Sequence, residues 1–403
     1  MPLGEKYLVR VSGVAAGLLI DYGSNTSFRL LDSYRDDPER PVLGQMFEDA
    51  PDKTWSHQNR VPAWFANLLH EGPLRNFLAD ELGVSPARDA PLLAALGTDL
   101  PGSVTVEPTE ADVEIDAEIA PADPVPHLDD PTGIRFSIAG YQLKLSMVQT
   151  ADKGFTLAGR GELGDFLMKL PSTGFPSVPE NEFATMTWAR AVGIDVPETE
   201  LVEMGRLDLP HGLLRADETW AFKVRRFDRG PSGRVHIEDL NQVVGGWPAE
   251  KYKNHSYESL GKLVLGVTGS ADAFAEYVRR LVFVVAVGNE DAHLKNWSLI
   301  YRDGRTAELA PAYDLVSTIT YSGLTRGLGL NLGGTKAFDR ISRDSFRRLA
   351  DVAGIDERTV LDVVDATVER IHTTAADHLP RYGALEKPLR LHFTIVPLLS
   401  PGV

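Results

Sequence analysis

The sequence predicts an α+β fold of two lobes, a β-rich lobe followed by a helical one. Three observations predict it. Between residues 134 and 227, short apolar runs alternate with turn residues, and one helical pattern intervenes. From residue 237 onward apolar residues recur at helical spacing, over 257–264, 271–287, 343–352 and 357–372. Inside that helical half, a polar loop follows the second helical run: Gly288-Asn289-Glu290-Asp291-Ala292-His293-Leu294-Lys295-Asn296.

The elements follow in order. Residues 8–20 read as strands around a glycine-bearing turn, and 27–31 as a further strand. A helix is expected over 61–69 with Pro62 near its start, a second over 74–82, and a third over 90–96. These make a first subdomain, 1–105. Residues 106–133 read as an acidic, Pro-rich linker: from Pro101 to Gly133 there are nine Asp or Glu and no Lys or Arg, so charge repulsion and proline hold the chain extended. The β-rich lobe is placed at 134–230 and the helical lobe at 231–403. In the β-rich lobe, 155–157 and 165–170 are strand candidates. Glu180-Asn181-Glu182 opens a helix that Gly193 ends. Gly159-x-Gly161-x-x-Gly164 has the spacing of a dinucleotide fingerprint, but a strand follows where a helix is required, so it reads as a hairpin turn.

Composition bounds the function. At 403 residues the chain exceeds one compact core. A formal charge of −16 argues against direct nucleic-acid binding by the chain itself. The absence of cysteine excludes disulfides, thiolate nucleophiles and Cys-ligated zinc. The apolar run 11–20 is broken by Gly13 and Gly17, and no stretch approaches the ~18 apolar residues of a membrane span. No secretory signal is read, so a cytoplasmic location is expected.

The loop from Asp291 to Asn296 carries the chemistry. Asp-x-x-x-x-Asn is the spacing of a phosphotransferase catalytic loop, in which the Asp takes up a hydroxyl proton and the Asn holds a metal. Two strand-like runs follow, joined by Arg302-Asp303-Gly304-Arg305, and Asp-Gly between apolar runs signals a hairpin. That hairpin would carry Asn296 and Asp314 at neighbouring ends, an oxygen-rich site suited to Mg²⁺. Asp and Asn also favour turns for local hydrogen bonds, so each residue alone reads as structural. Lys169 is a lone cation in an apolar strand, where an anionic partner would offset its burial. It stands where a kinase strand lysine would grip phosphates, and Glu182 could pair with it. A β-rich lobe ahead of a helical lobe with this loop is the layout of a two-lobed protein-kinase-like fold.

Several stretches together resemble one family. Ser137-Ile138-Ala139-Gly140, Met168-Lys169-Leu170-Pro171, Glu180-Asn181-Glu182, Arg226-Phe227-Asp228-Arg229, the loop from Gly288 to Asn296 and Pro311-Ala312-Tyr313-Asp314-Leu315 are similar to the HipA family. So is the first subdomain, through Val61-Pro62-Ala63-Trp64-Phe65 and Leu92-Leu93-Ala94-Ala95-Leu96-Gly97. The resemblance implies a Mg²⁺- and ATP-dependent serine/threonine protein kinase, the toxin of a bacterial toxin–antitoxin pair. It implies Asp291 as catalytic base, and Asn296 and Asp314 as Mg²⁺ ligands. ATP would lie against Ala139, Gly140, Tyr141, Gln142, Leu143 and Lys144 of a phosphate loop, Lys169, the hinge Arg225, Arg226 and Phe227, and His293, Leu294, Lys295, Asn296, Tyr313 and Asp314. Ser137 would be autophosphorylated. A HipB-like helix-turn-helix antitoxin would be the partner and would supply most DNA contact. The protein substrate would be an aminoacyl-tRNA synthetase, notably the glutamyl enzyme. Leu143 and Arg225 depart from the pattern, standing where Glu and an acidic hinge residue are common. The rival readings are an aminoglycoside-type small-molecule kinase, which shares the Asp-x-x-x-x-Asn loop, and a non-catalytic co-repressor.

Overall fold

The computed structural model describes residues 4–81, 83–97, 100–110, 143–151, 153–157, 163–172, 174–209, 219–231, 233–322 and 327–400. The expected phosphate loop up to Gln142, Ser137 and the turn at 159–162 lie outside the described residues.

The first subdomain is an antiparallel five-stranded sheet with short helices. Its strands are β1 (Glu5–Val11), β2 (Val14–Asp21), β3 (Asn25–Leu30), β4 (Trp55–Gln58) and β5 (Val104–Pro108), in the order β4-β3-β2-β1-β5. Ser12 and Gly13 both take positive φ, the backbone that a two-residue hairpin turn requires between β1 and β2. The helices are α1 (Asp32–Arg35), α2 (Gln45–Glu48), α3 (Ala63–Ala66), α4 (Gly72–Glu81) and α5 (Asp89–Ala95). The helix expected over 61–69 is a single turn, because Pro62 occupies its N-cap and the chain leaves helix at Asn67. Strand β5 is an edge strand running to Pro108, beyond the expected boundary at 105. Phe28, Phe47, Trp64 and Phe65 are fully buried in the core of this subdomain.

A second, six-stranded sheet forms the β-rich lobe. It contains β6 (Lys144–Gln149), β7 (Phe155–Leu157), β8 (Phe166–Lys169), β9 (Thr199–Glu203), β10 (Leu207–Asp208) and β11 (Trp220–Arg225), in the order β10-β7-β6-β8-β11-β9. The long helix α6 (Val178–Val192) follows β8, with Pro179 in its first turn and Gly193 as its left-handed cap. Helix α6 packs between the β-rich sheet and the helical lobe. Trp188 is buried there, and its Nε1 donates to Thr374 at 2.8 Å.

The helical lobe is less purely helical than its sequence pattern suggests. A short hairpin, β12 (Arg229–Gly230) and β13 (Gly233–Arg234), leads into it. Then β14 (His236–Asp239), β15 (Ser298–Tyr301) and β16 (Glu308–Leu309) form an antiparallel sheet. β15 and β16 are the hairpin that Asp303-Gly304 signals. β14 is buried at alternate positions and is too short for periodicity to reveal. The helices are α7 (Leu240–Val243), α8 (Tyr257–Thr268), α9 (Ala271–Ala286), α10 (Arg343–Ala353), α11 (Glu357–His378) and α12 (Glu386–Ile395). Helix α9 presents Leu281 to Ala286 to the core on all sides, as a central helix must.

The first subdomain docks on the helical lobe through buried polar contacts. Glu238 on β14 accepts from Trp64 Nε1 and from the Gln45 amide, each at 3.1 Å, and from the Tyr301 hydroxyl. Trp247 of the helical lobe belongs to the aromatic core of the subdomain. Among the described residues no helix is long and apolar enough to cross a membrane.

Candidate active site

The polar loop begins where α9 must stop. Gly288 takes φ +62, a left-handed conformation, and a Cβ there would meet Ile319 at 2.4 Å. The loop is then held by hydrogen bonds within itself. Asp291 N–H donates to Asn289 Oδ1 at 2.9 Å, His293 N–H donates to the Asp291 carbonyl at 2.8 Å, and Asn296 Nδ2 donates to the same carbonyl at 3.0 Å. The Asp-x-x-x-x-Asn spacing thus closes a compact turn in which the side chain at one end satisfies the backbone at the other.

Asp314 meets this turn from the far side of the β15–β16 hairpin. Its backbone carbonyl accepts from Asn289 Nδ2 at 3.4 Å, and Asn289, Asn296, Tyr313 and Asp314 line one small pocket. Asp314 holds φ +54, a conformation uncommon for non-glycine residues and most tolerated by Asp and Asn. Tyr313 fixes the turn: its hydroxyl donates to the Lys295 carbonyl at 2.7 Å, and its ring centroid lies 5.6 Å from that of Phe227. Tyr313 thus links the end of β11, at Phe227, to the 288–296 loop, at Lys295.

The β-rich lobe delivers two lysines to Asp314. Lys144 on β6 and Lys169 on β8 are cross-strand partners. Lys144 Nζ lies 3.1 Å from Asp314 Oδ2, and Lys169 Nζ contacts both Asp314 Oδ1 and Glu182 Oε1. Lys169 and Glu182 are both buried. Burial would raise the Asp314 carboxyl, but the neighbouring Lys144 and Lys169 ammonium groups outweigh it and hold the carboxyl far below the usual range. Burial would lower the Lys169 ammonium, and Asp314 and Glu182 overcome that and raise it. Lys169 is therefore charged and doubly paired, which answers the cost of placing it in an apolar strand.

Other expected residues take different parts. Leu143 packs against the small core of the β-rich sheet. Leu294 is wholly buried in the helical core, so any part it takes at a nucleotide runs through its backbone. Arg225, at the end of β11, is solvated, with Glu198 at 3.8 Å. Arg226 turns to Asp228, at 3.0 and 2.8 Å, which fixes the strand end beside the lobe junction. His293 is buried beside Lys251, and burial first and the lysine second push its imidazole well below the ordinary value, so it is neutral.

Comparison with known proteins gives the same architecture a family. Residues 7–107 match the family described as HipA N-terminal domain, and residues 136–375 match that described as HipA-like C-terminal domain. The chain belongs to the HipA family. It is 44% identical over 354 residues to "Putative kinase Y4dM" of Sinorhizobium fredii, covering 86% of this chain and 85% of that protein. It is 26% identical over 304 residues to the serine/threonine-protein kinase toxin HipA of Shewanella oneidensis, covering 68% of this chain and 66% of that one. The solved complex of Shewanella oneidensis HipA, HipB and operator DNA contains a chain that superposes with a TM-score of 0.73 at 20% identity, over 96% of both chains. That likeness establishes the two-lobed HipA fold.

Glu71 belongs to the family-like stretch of the first subdomain, and Lys251 and Tyr252 carry no local signal, yet the fold gathers all three beside the loop. Glu71, at the start of α4, pairs with Lys251 at 3.0 Å and with Lys295 at 3.1 Å. Lys295 also donates to the Asn67 carbonyl at 3.2 Å, so its ammonium is turned to the first subdomain. Burial would raise the Glu71 carboxyl, but the two lysines, Lys295 first, bring it down to about 2. Tyr252 donates its hydroxyl to Asp291 Oδ1. Only the fold brings these groups to the loop. Glu71-Gly72 resembles the family's first subdomain, but nothing local pairs Glu71 with Lys251 or Lys295.

Proposed function

We propose that the protein is a Mg²⁺- and ATP-dependent serine/threonine protein kinase acting as the toxin of a type II toxin–antitoxin pair. The ionic chain Lys144–Asp314–Lys169–Glu182, set beside Asn296 and the Asp291 loop, carries the reading. Two lysines that face one another on adjacent strands would repel without an anion between them. Asp314 supplies that charge here, and a triphosphate is the ligand class that both lysines could grip.

The donor set suits Mg²⁺. Asp314 and Asn296 line the same pocket, and Asn296 turns its NH₂ to the Asp291 carbonyl, leaving its Oδ1 for a cation. Mg²⁺ held by these two would neutralise charge on the phosphates. Phe227 and Tyr313, packed on each other, would lie along one side of the adenine, and Lys144 and Lys169 would hold phosphate oxygens. Asp291 takes the proton of the acceptor hydroxyl as its oxygen bonds to the γ-phosphorus. The β,γ-bridging P–O bond breaks, and ADP leaves with that electron pair.

The finer assignments extend this reading. A HipB-like helix-turn-helix antitoxin is the partner, as the solved relative was crystallised with HipB and DNA. The net charge of −16 fits a chain that leaves most DNA contact to that partner. A translation component such as glutamyl-tRNA synthetase is the substrate, Ser137 is the autophosphorylation site, and the cytoplasm is the location. Purified protein incubated with Mg²⁺ and γ-labelled ATP tests the reading. One phosphate should appear, in the Ser137 peptide, and none in Asp291→Asn. No transfer to itself, to glutamyl-tRNA synthetase or to water would overturn the kinase assignment. Label at a different site would overturn the Ser137 assignment alone.

A further inference from the structure

The residues before α8 grip the catalytic-type loop around Asp291. The Lys251 carbonyl accepts from Leu294 N–H at 3.2 Å, and its ammonium shares Glu71 with Lys295. Tyr252 sets its ring edge-on to His293, with centroids 4.9 Å apart at 77°, and its hydroxyl donates to Asp291 Oδ1. The bonds within the loop, Asp291 N–H to Asn289 and the Asp291 carbonyl to Asn296 and His293, fix the backbone. The Tyr252 bond acts on the carboxylate itself. The last bond of an Asp side chain has no sharp staggered wells of its own, so a directed hydrogen bond can set its plane. His293 Nε2 stands 3.9 Å from the same oxygen, beyond hydrogen-bond reach.

Resting on the kinase reading above, we propose that Tyr252 is a positioning residue for phosphoryl transfer, acting through Asp291. Its hydroxyl sets the plane of the carboxylate, so the base meets an acceptor hydroxyl in one orientation. Its ring transmits the placement of His293 to the same carboxylate. Glu71 anchors the assembly from the first subdomain, by way of Lys251. The step itself is unchanged: the acceptor proton goes to Asp291, and Tyr252 keeps its own proton throughout. Tyr252 lies outside the Lys144–Asp314–Lys169 cluster and the pocket shared by Asn296 and Asp314, so its loss should leave ATP binding alone.

The test is single-turnover transfer from Mg²⁺-ATP by the full chain, with ATP affinity from calorimetry and thermal stability from scanning. Tyr252→Phe keeps the ring on His293 and removes the hydroxyl. It should slow transfer about 10- to 100-fold, the scale on which a misoriented group acts, with ATP affinity and Tm unchanged. An unchanged rate overturns the proposal. So does a slower rate matched by an equal loss of ATP affinity or by a fall in Tm, which would make the contact merely structural. Tyr252→Gln returns a donor without the ring and should recover part of the rate. A Gln variant slower than the Phe variant would assign the effect to ring packing and also overturn it. If the wild-type chain transfers no phosphate at all, the kinase reading fails. If it does and Tyr252→Phe matches it, the positioning role alone fails.

Discussion

Lys144 and Lys169 stand directly opposite each other on β6 and β8, and both ammonium groups reach the carboxylate of Asp314. Asp314 belongs to the helical lobe and the lysines to the β-rich lobe, so this ion cluster also ties the lobes together. Glu182 extends it into α6. Any ligand entering between the lobes must meet a site already organised around one negative charge between two positive ones.

Lys169→Ala should weaken ATP binding more than AMP binding, because the lysine acts on phosphates beyond the first. Calorimetry with both nucleotides measures this. Equal losses for the two would remove Lys169 from the phosphate site.

Asp314→Ala should lose Mg²⁺-dependent ATP affinity and also destabilise the fold. Lys169 would stay buried with Glu182 as its remaining anion, and Lys144 would face it across the strands. A buried charge pair that loses one member costs about 3–5 kcal/mol. The retained Glu182 should hold the loss to about 1–3 kcal/mol, the scale of one charged hydrogen bond. Chemical denaturation reads the stability term, and an ATP titration with and without Mg²⁺ reads the metal term. Unchanged Mg²⁺ dependence would remove Asp314 as a metal ligand.

Asp291→Asn should bind nucleotide normally and lose transfer. The side chain is isosteric, and the loop bonds run through the backbone and through Asn289. A positioned base contributes ~10²–10⁴-fold, so the single-turnover rate should fall by that range. A near-wild-type rate would take Asp291 out of the role.

What the sequence reveals of this site depends on distance along the chain. The turn from Asp291 to Asn296 is legible because its bonds are local, and the hairpin because Asp303-Gly304 sits between two apolar runs. The burial of Lys169 is legible because a lone charge in an apolar strand demands a partner. Its pairing with Glu182 follows from the strand–turn–helix order. Tyr252 is not legible: it lies 39 residues before Asp291 in a polar stretch with no periodicity. Glu71 is still further away, 224 residues from Lys295, and no local pattern encodes that meeting. The short strands β4 and β14 escape for a different reason. Each has four residues and buries polar side chains, Ser56 and His57 in β4 and His236 and Glu238 in β14, so the apolar–polar sequence alternation that marks a half-buried strand is missing from both.

Glu71→Gln should weaken the hold of the first subdomain on the catalytic-type loop, in a pH window that the ion pairs define. The folded-state carboxyl sits at about 2, below its ordinary value near 4.5, because Lys295 and Lys251 outweigh its burial. Between those values the unfolded chain binds the extra proton, so stability rises with pH across that range. The contribution of Glu71 is therefore complete above the ordinary value and is lost as pH falls towards the folded one. Wild type should have the higher Tm at pH 7, and its advantage over Glu71→Gln should shrink as pH falls from about 5 to about 3. Glu71 is 42% exposed, so high salt should narrow the gap at pH 7 as well. Thermal scans of both proteins across pH and salt decide it. A gap that stays constant in both series would mean that the Glu71 side chain acts through packing, and that its charge does not hold Lys295 and Lys251 in place.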